Sequence, residues 1–352
     1  MADLNINEKY ELGLFPYMNI LLSYLSNENM FYTKTISKVE KQEYSVEMKV
    51  YYNQHFLQES EESKYIALVQ NVLENGKQRD DRTGMGTISV FGTYFEMDVS
   101  QSFPLLTSKR VFWKGVVEEL LFFIRGDTDS KKLEEKGITI WKGNTSREFL
   151  DKRGLTQYRE GELGPAYGWN WRNFGGEYIP LDQRPTEEYG KKDGKDQLQE
   201  AIRLIKEDPY SRRIMVSAWN PNTLDQICLP ACHYHYQFYV DPKKQSLSIL
   251  VNMRSCDVFL GLPFNIASYS LLLYIIAKVT DLKPDKVCFI LGDTHIYLDH
   301  IEQCKEQLSR NLRPLPKLKV LSKKEKIEEY EMSDFILEEY DPHPSIKAKM
   351  AI

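Results

Sequence analysis

Apolar positions recur along this chain at intervals of two in some stretches and of three to four in others, the periods of half-buried strands and amphipathic helices. Tyr44, Val46, Met48, Val50 and Tyr52 alternate with Ser45, Glu47, Lys49 and Tyr51, which predicts a strand over 44–52. Tyr234, Tyr236, Phe238 and Val240 alternate in the same way and predict a strand that opens just after Cys232. Further strands are expected over 138–141, 214–218, 247–253 and 287–291, with a hairpin over 88–99 turning at Gly92. Helical spacing puts Ile66, Val69, Val72 and Leu73 on one face of a helix that stops near Gly76. Helices are also expected over 14–25, 116–125, 198–206 and 301–308, and a strongly apolar, central one over 268–280. Gly164-Pro165 opens a rigid turn that runs through Trp169. The stretch 178–196, rich in polar residues, Gly and Pro, reads as a surface insertion.

Composition narrows the class. At 352 residues, 42% hydrophobic and 12% aromatic, the chain can bury a large core. The polar, acidic run 58–63 separates regions of different character: 1–60 is an N-terminal extension of unknown role, and 61–352 is the main domain. A net charge of −5, from 46 basic and 51 acidic residues, argues against general affinity for nucleic acid. Cys228, Cys232, Cys256, Cys288 and Cys304 are an odd set without a CxxC pair. No disulfide framework or structural metal is expected from them, and the cytoplasm is the expected compartment. The apolar segment near residue 20 lacks a basic flank, is broken by Pro16 and Asn19, and is too short for a bilayer, so neither signal peptide nor membrane helix is expected.

Several residues then stand out for their chemistry. Cys232 follows the turn Leu229-Pro230-Ala231 at the mouth of a strand, a placement that suits a nucleophile. Arg82 opens a loop with Gly84 and Gly86 behind it, and Arg212-Arg213 directly precede a strand; both suit anion binding. Glu118 and Glu119 lie among apolar neighbours about 100° apart on a helix, so one can face water while the other points inward. A buried carboxylate needs a partner or a role. Arg254, Ser255, Asp257 and Asn265, set among Val258, Phe259, Leu260 and Phe264, have the composition of a pocket. His295 and Tyr297 share one side if their strand continues.

The motifs DDRTG, FPLLTSKRVFWKG, GPAYGWNWR, SRRI, LPACH, RSCDVFLGLPFNIASY and GDTHIYLDH resemble those of thymidylate synthase in order and spacing, from about residue 64 to the end. The resemblance implies an α+β fold with a large mixed sheet and flanking helices, and a homodimer whose sheets pack back to back. It implies methylation of dUMP to dTMP, with 5,10-methylenetetrahydrofolate giving carbon and hydride, and no metal. It assigns Cys232 as nucleophile, with Glu119 and Tyr167 handling protons and Asn265 reading the uracil edge. Arg82, Arg254, Ser255 and Cys256 would hold the nucleotide with Asp257, joined by Arg212 and Arg213 donated across the dimer. His295 and Tyr297 would take the ribose. Trp141, Asn144, Asp257, Gly261, Phe264 and Ala351 match the folate side. Met253 stands where the family usually has Gln, which removes a polar contact expected near the phosphate. The alternatives are a dUMP hydroxymethylase of the same fold and a non-catalytic RNA-binding protein on this scaffold. In some members the enzyme is fused behind dihydrofolate reductase, whose terminal strand the alternation over 44–52 resembles.

Overall fold

The computed structural model describes residues 31–39, 43–51, 60–81, 83–186 and 193–350. The expected helix over 14–25 lies outside them, as do Arg82 and Ala351. Backbone contacts divide the chain into Met1–Ser63 and Lys64–Ile352. In the first unit β1 (Phe31–Val39) and β2 (Glu43–Tyr51) form an antiparallel pair, with Phe31 opposite Tyr51 and Val39 opposite Glu43. The alternation over 44–52 falls on β2. Its partner β1 carries Thr, Ser and Lys on both parities and so shows no apolar face in sequence.

The second unit is built on one six-stranded sheet. Its strands are β3 (Lys77–Arg79), β4 (Thr87–Asp98), β5 (Met215–Ser217), β6 (His233–Asp241), β7 (Ser246–Asp257) and β8 (Lys283–Tyr297). They lie in the order β3-β4-β8-β7-β6-β5. Only β7 and β8 run parallel; the other neighbours are antiparallel, so the sheet is mixed. A parallel pair needs a crossover, and the helix Gly261–Val279 supplies it. That helix is apolar nearly all round because it is enclosed nearly all round. It is long and apolar enough to cross a membrane, yet 72% of it is buried inside the protein. The inner face of the sheet buries Phe95, Met97, Val251, Phe289 and Leu291 with Tyr236 and Phe238. The outer face leaves Tyr94, Met215, Tyr239 and Ile290 exposed. Among the helices beside the core are Glu62–Asn75, Trp113–Ile124, Gln197–Glu207 and Ile301–Leu308, close to the stretches their periodicity marks.

Four expectations are corrected. Residues 88–99 form the single strand β4, not a hairpin: Gly92 has φ +80° but sits within an unbroken register between Phe91↔Asp293 and Thr93↔Leu291. The strand over 287–291 is three times longer, because Gly292 continues it. A Cβ there would come within 2.8 Å of the Arg254 carbonyl oxygen, so a glycine lets β8 lie close to β7. Residues 138–141 are turn, since no strand edge is offered to them. Behind Gly164-Pro165 the chain enters the short helix Tyr167–Asn173.

Candidate active site

Cys232 sits half-buried on the turn that leads into β6. Its backbone is held from two sides. Its N–H donates to Tyr167 Oη at 2.8 Å, and its carbonyl accepts from the Arg254 N–H at 2.9 Å. The Arg254 side chain grips the same turn, donating through Nε to the Ala231 carbonyl and through Nη2 to that of Pro230, both at 2.8 Å. Its guanidinium lies 5.4 Å from the Trp219 ring centre, and Nη2 lies 3.8 Å from Cys232 Sγ. One arginine from β7 thus shapes the turn and puts a cation beside the sulfur, the setting that favours a thiolate.

Behind the sulfur is an aromatic wall. Tyr167 is buried and stacked between Phe123, at 5.0 Å, and His233, at 4.3 Å. Burial holds its hydroxyl well above the usual phenol range, so it keeps its proton while accepting from Cys232. Burial likewise pushes the His233 imidazole down to about 3, and its Nδ1 lies 2.7 Å from Tyr269 Oη. His233 is therefore neutral at physiological pH.

Glu119 projects from the helix Trp113–Ile124 toward this wall and accepts from Trp141 Nε1 at 2.8 Å. Burial pushes its carboxyl up to about 7, and the Trp141 N–H only partly opposes this. Its neighbour Glu118 turns away and pairs with Lys136 at 2.6 Å. It is 6% exposed, so the expectation that one of the two faces open water gives way to an ion pair at the surface. The raised value has a signed consequence. Below an ordinary value of 4.5, Glu119 is protonated both folded and unfolded; between there and about 7 only the folded chain keeps the proton. Its contribution to stability is therefore full at low pH and is lost as pH rises through about 7. Glu119→Gln cannot ionise, so its melting temperature should rise relative to wild type between pH 5 and pH 8, by roughly 2–4 °C per kcal/mol of penalty removed. Parallel melting curves at every pH would contradict this.

On the far side of the turn, β7 and β8 run level, with Ser255 opposite Asp293 and Asp257 opposite His295. His295 and Tyr297 share a side, as expected, and their rings meet edge to face at 5.3 Å. Asp257 Oδ1 accepts from the N–H groups of Phe259 and Leu260, at 3.0 and 3.1 Å, and so fixes the entry to the helix at Gly261. Phe264 and Asn265 follow on its first turns, half-buried, and the Asn265 amide makes no hydrogen bond among the described residues. Asn144 is buried, and the Cys256 side chain is fully buried in the core. Met253 is 3% exposed and faces the core while its neighbour Arg254 is exposed, so replacing a polar residue there alters the core side of β7. Near the C-terminus His300 Nε2 donates to the Lys349 carbonyl at 2.8 Å, which anchors the segment leading to Ala351.

Arg212 and Arg213 are exposed and are not brought to Cys232. Met215, two residues on from Arg213, pairs with Gln237, five residues along β6 from Cys232. At about 3.3 Å per residue that puts the start of β5 roughly 16 Å from Cys232.

A family model described as thymidylate synthase matches residues 63–352. The chain belongs to the thymidylate synthase family. It is 51% identical over 291 residues to "Thymidylate synthase" of Homo sapiens, covering 83% of this chain and 91% of that protein. It is 47% identical over 302 residues to "Thymidylate synthase" of Saccharomyces cerevisiae, covering 83% and 97%. It is 48% identical over 315 residues to "Bifunctional dihydrofolate reductase-thymidylate synthase" of Zea mays, covering 90% of this chain and 58% of that protein.

With thymidylate synthase as the frame, some residues prove to matter that sequence reasoning passed over: Trp219 beneath Arg254, Tyr269 behind His233, Lys136 on Glu118, and Arg79 with Asp293. Asp293 carried a legible signal, lying two residues before His295 and hence on the same side of a strand. The others are distant in sequence from the groups they touch. Among the described residues no cluster of three His, Cys, Asp or Glu is placed to hold a metal.

Proposed function

We propose that this chain converts dUMP to dTMP by reductive methylation, as a homodimer with shared active sites. The observation that carries the reading is the guanidinium of Arg254 at 3.8 Å from Cys232 Sγ, on a turn that the same arginine holds rigid.

Carbon 5 of uracil is a poor nucleophile. Addition of the Cys232 thiolate to carbon 6 converts the ring to an enolate and makes carbon 5 reactive. The Asn265 amide, with no other hydrogen bond among the described residues, can donate to O4 and accept from N3–H. Glu119, poised near neutrality by burial, is assigned to take and return protons at the uracil carbonyl, and buried Tyr167 to proton removal from carbon 5. 5,10-Methylenetetrahydrofolate supplies the carbon and then the hydride, leaving as dihydrofolate. Phe264 and Trp141 are assigned to its rings as flat apolar surface, Asn144 and Gly261 to the same side, and Asp257 keeps Oδ2 free of hydrogen bonds among the described residues while Oδ1 accepts from the Phe259 and Leu260 N–H groups. Arg82, Arg254 and Ser255 are assigned to the phosphate, and His295 and Tyr297 to the ribose. Ala351 is assigned to the folate side.

Two features support the homodimer. The outer sheet face exposes the large apolar side chains Tyr94, Met215, Tyr239 and Ile290 beside polar groups such as the Glu96–Lys286 pair, a surface that a second copy can cover. The exposed Arg212 and Arg213 precede a strand that starts roughly 16 Å along β6 from Cys232, which supports assigning them to a partner's phosphate. All five cysteines are free thiols, in keeping with a cytoplasmic enzyme.

The test is direct. dUMP and methylenetetrahydrofolate together should give rising dihydrofolate absorbance, strictly dependent on both. A product formed without dihydrofolate would mean that water, not hydride, completes the reaction, and the reading would fall to a hydroxymethylase.

A further inference from the structure

His295 and Asp293 project from the same side of β8, and their contact fixes a proton. His295 Nδ1 lies 3.0 Å from Asp293 Oδ1, while Asp293 Oδ2 accepts from Arg79 Nη1 on β3 at 2.8 Å. A carboxylate oxygen only accepts, so the proton between His295 and Asp293 belongs to Nδ1. In a neutral imidazole the other nitrogen, Nε2, is then an acceptor. Among the described residues Nε2 makes no hydrogen bond, and His295 is 7% exposed. A bound ligand that covers this acceptor must offer it a donor, since an acceptor buried without one is costly.

We propose that Asp293, braced by Arg79, is a positioning residue that sets His295 as a hydrogen-bond acceptor, so that the nucleotide site requires a sugar hydroxyl able to donate. This rests on the reading of His295 as the ribose contact of dUMP. A 3′-hydroxyl satisfies Nε2 by donating to it. Fluorine at the same carbon is similar in size but can only accept, which would set two acceptors against each other.

The role of Asp293 can be inverted by one atom. In Asp293→Asn, Arg79 can donate only to the amide oxygen, which turns the amide NH2 toward His295 Nδ1. Nδ1 must then accept, the proton moves to Nε2, and the histidine becomes a donor. Affinities of dUMP and its 3′-deoxy-3′-fluoro analogue are measured by calorimetry for both proteins, each checked by melting. Wild type should reject the fluoro analogue by roughly tenfold to a hundredfold, the range for a buried acceptor left unpaired. The variant should bind dUMP more weakly and hold the two ligands within about threefold of each other, since its donor suits either acceptor. A merely structural loss would weaken both ligands and leave their ratio unchanged, and that outcome overturns the proposal, as does a wild type that accepts the fluoro analogue equally. Independently, 15N spectra of labelled wild type, which has six histidines, should show the Nδ1–H tautomer for the signal that vanishes in His295→Gln. The Nε2–H tautomer there overturns the proposal without any nucleotide. If neither nucleotide binds, the dUMP reading fails, and the spectrum still decides what Asp293 does.

Discussion

Cys232→Ala should lower turnover of dUMP by on the order of 10⁴-fold or more while leaving dUMP binding within about tenfold of wild type. The split follows from how the turn is built. Arg254 is anchored to the carbonyls of Pro230 and Ala231, and the backbone of residue 232 to Tyr167 and Arg254, so none of these bonds needs the sulfur. Deleting Sγ removes the atom that bonds to carbon 6 and leaves the cation, the amide of Asn265 and the ribose contacts in place. Cys232 is only half-buried, so the truncation leaves little cavity and the fold should survive. Initial rates and calorimetry on the same preparation check both halves. Turnover near wild type would remove Cys232 as nucleophile, and loss of binding would mean that the thiol itself holds the ligand.

The second large effect is a restoration. Arg213→Ala should be severely impaired as a homodimer, as should Cys232→Ala, yet on the shared-site proposal each lesion belongs to a different half of one site. In a mixed dimer one site collects both lesions and the other has neither. Mixing the two inactive proteins under conditions where subunits exchange should bring activity back, to at most about half of wild type per mixed dimer, since the symmetry of a homodimer makes its two sites equivalent. Arg213 is exposed in the turn before β5, so its loss should cost ligand binding more than stability. If Arg213→Ala is impaired and exchange is demonstrated, but no activity returns, Arg213 serves its own chain and the shared-site reading fails.

Where local period and final environment agree, the fold was legible. Tyr236, Phe238 and Val240 alternate and are buried on β6, and the helix Ile301–Leu308 has the bounds its spacing predicts. Where a residue does its work through a distant neighbour, it was not. Gly92 and Gly292 look like turn residues alone, but both sit in long strands whose register is set by the other. Ile138 and Ile140 have strand propensity, yet no edge was there to receive them. The same holds in the site. Cys232, Glu119 and Asn265 could be singled out by type and setting, and the family resemblance sharpened their roles. The Lys136 partner of Glu118 lies 18 residues away beyond the helix, and the Arg79 brace on Asp293 comes from strands that only the sheet brings together.

The position of β8 has a consequence for how the protein is made. It lies between β4 and β7, pairing Thr87 with Tyr297 on one side and Ser255 with Asp293 on the other. During synthesis every other strand of this sheet leaves the ribosome before it. Until residues 283–297 follow, β4 and β7 each present an open edge, and the apolar crossover helix has no finished sheet to cover. Closing a contact over some 200 residues of chain is also slow. A nascent chain is thus most exposed to aggregation just before its last central strand arrives. A chain stopped short of residue 283 is not an enzyme of reduced activity; it is a divided sheet with two adhesive borders.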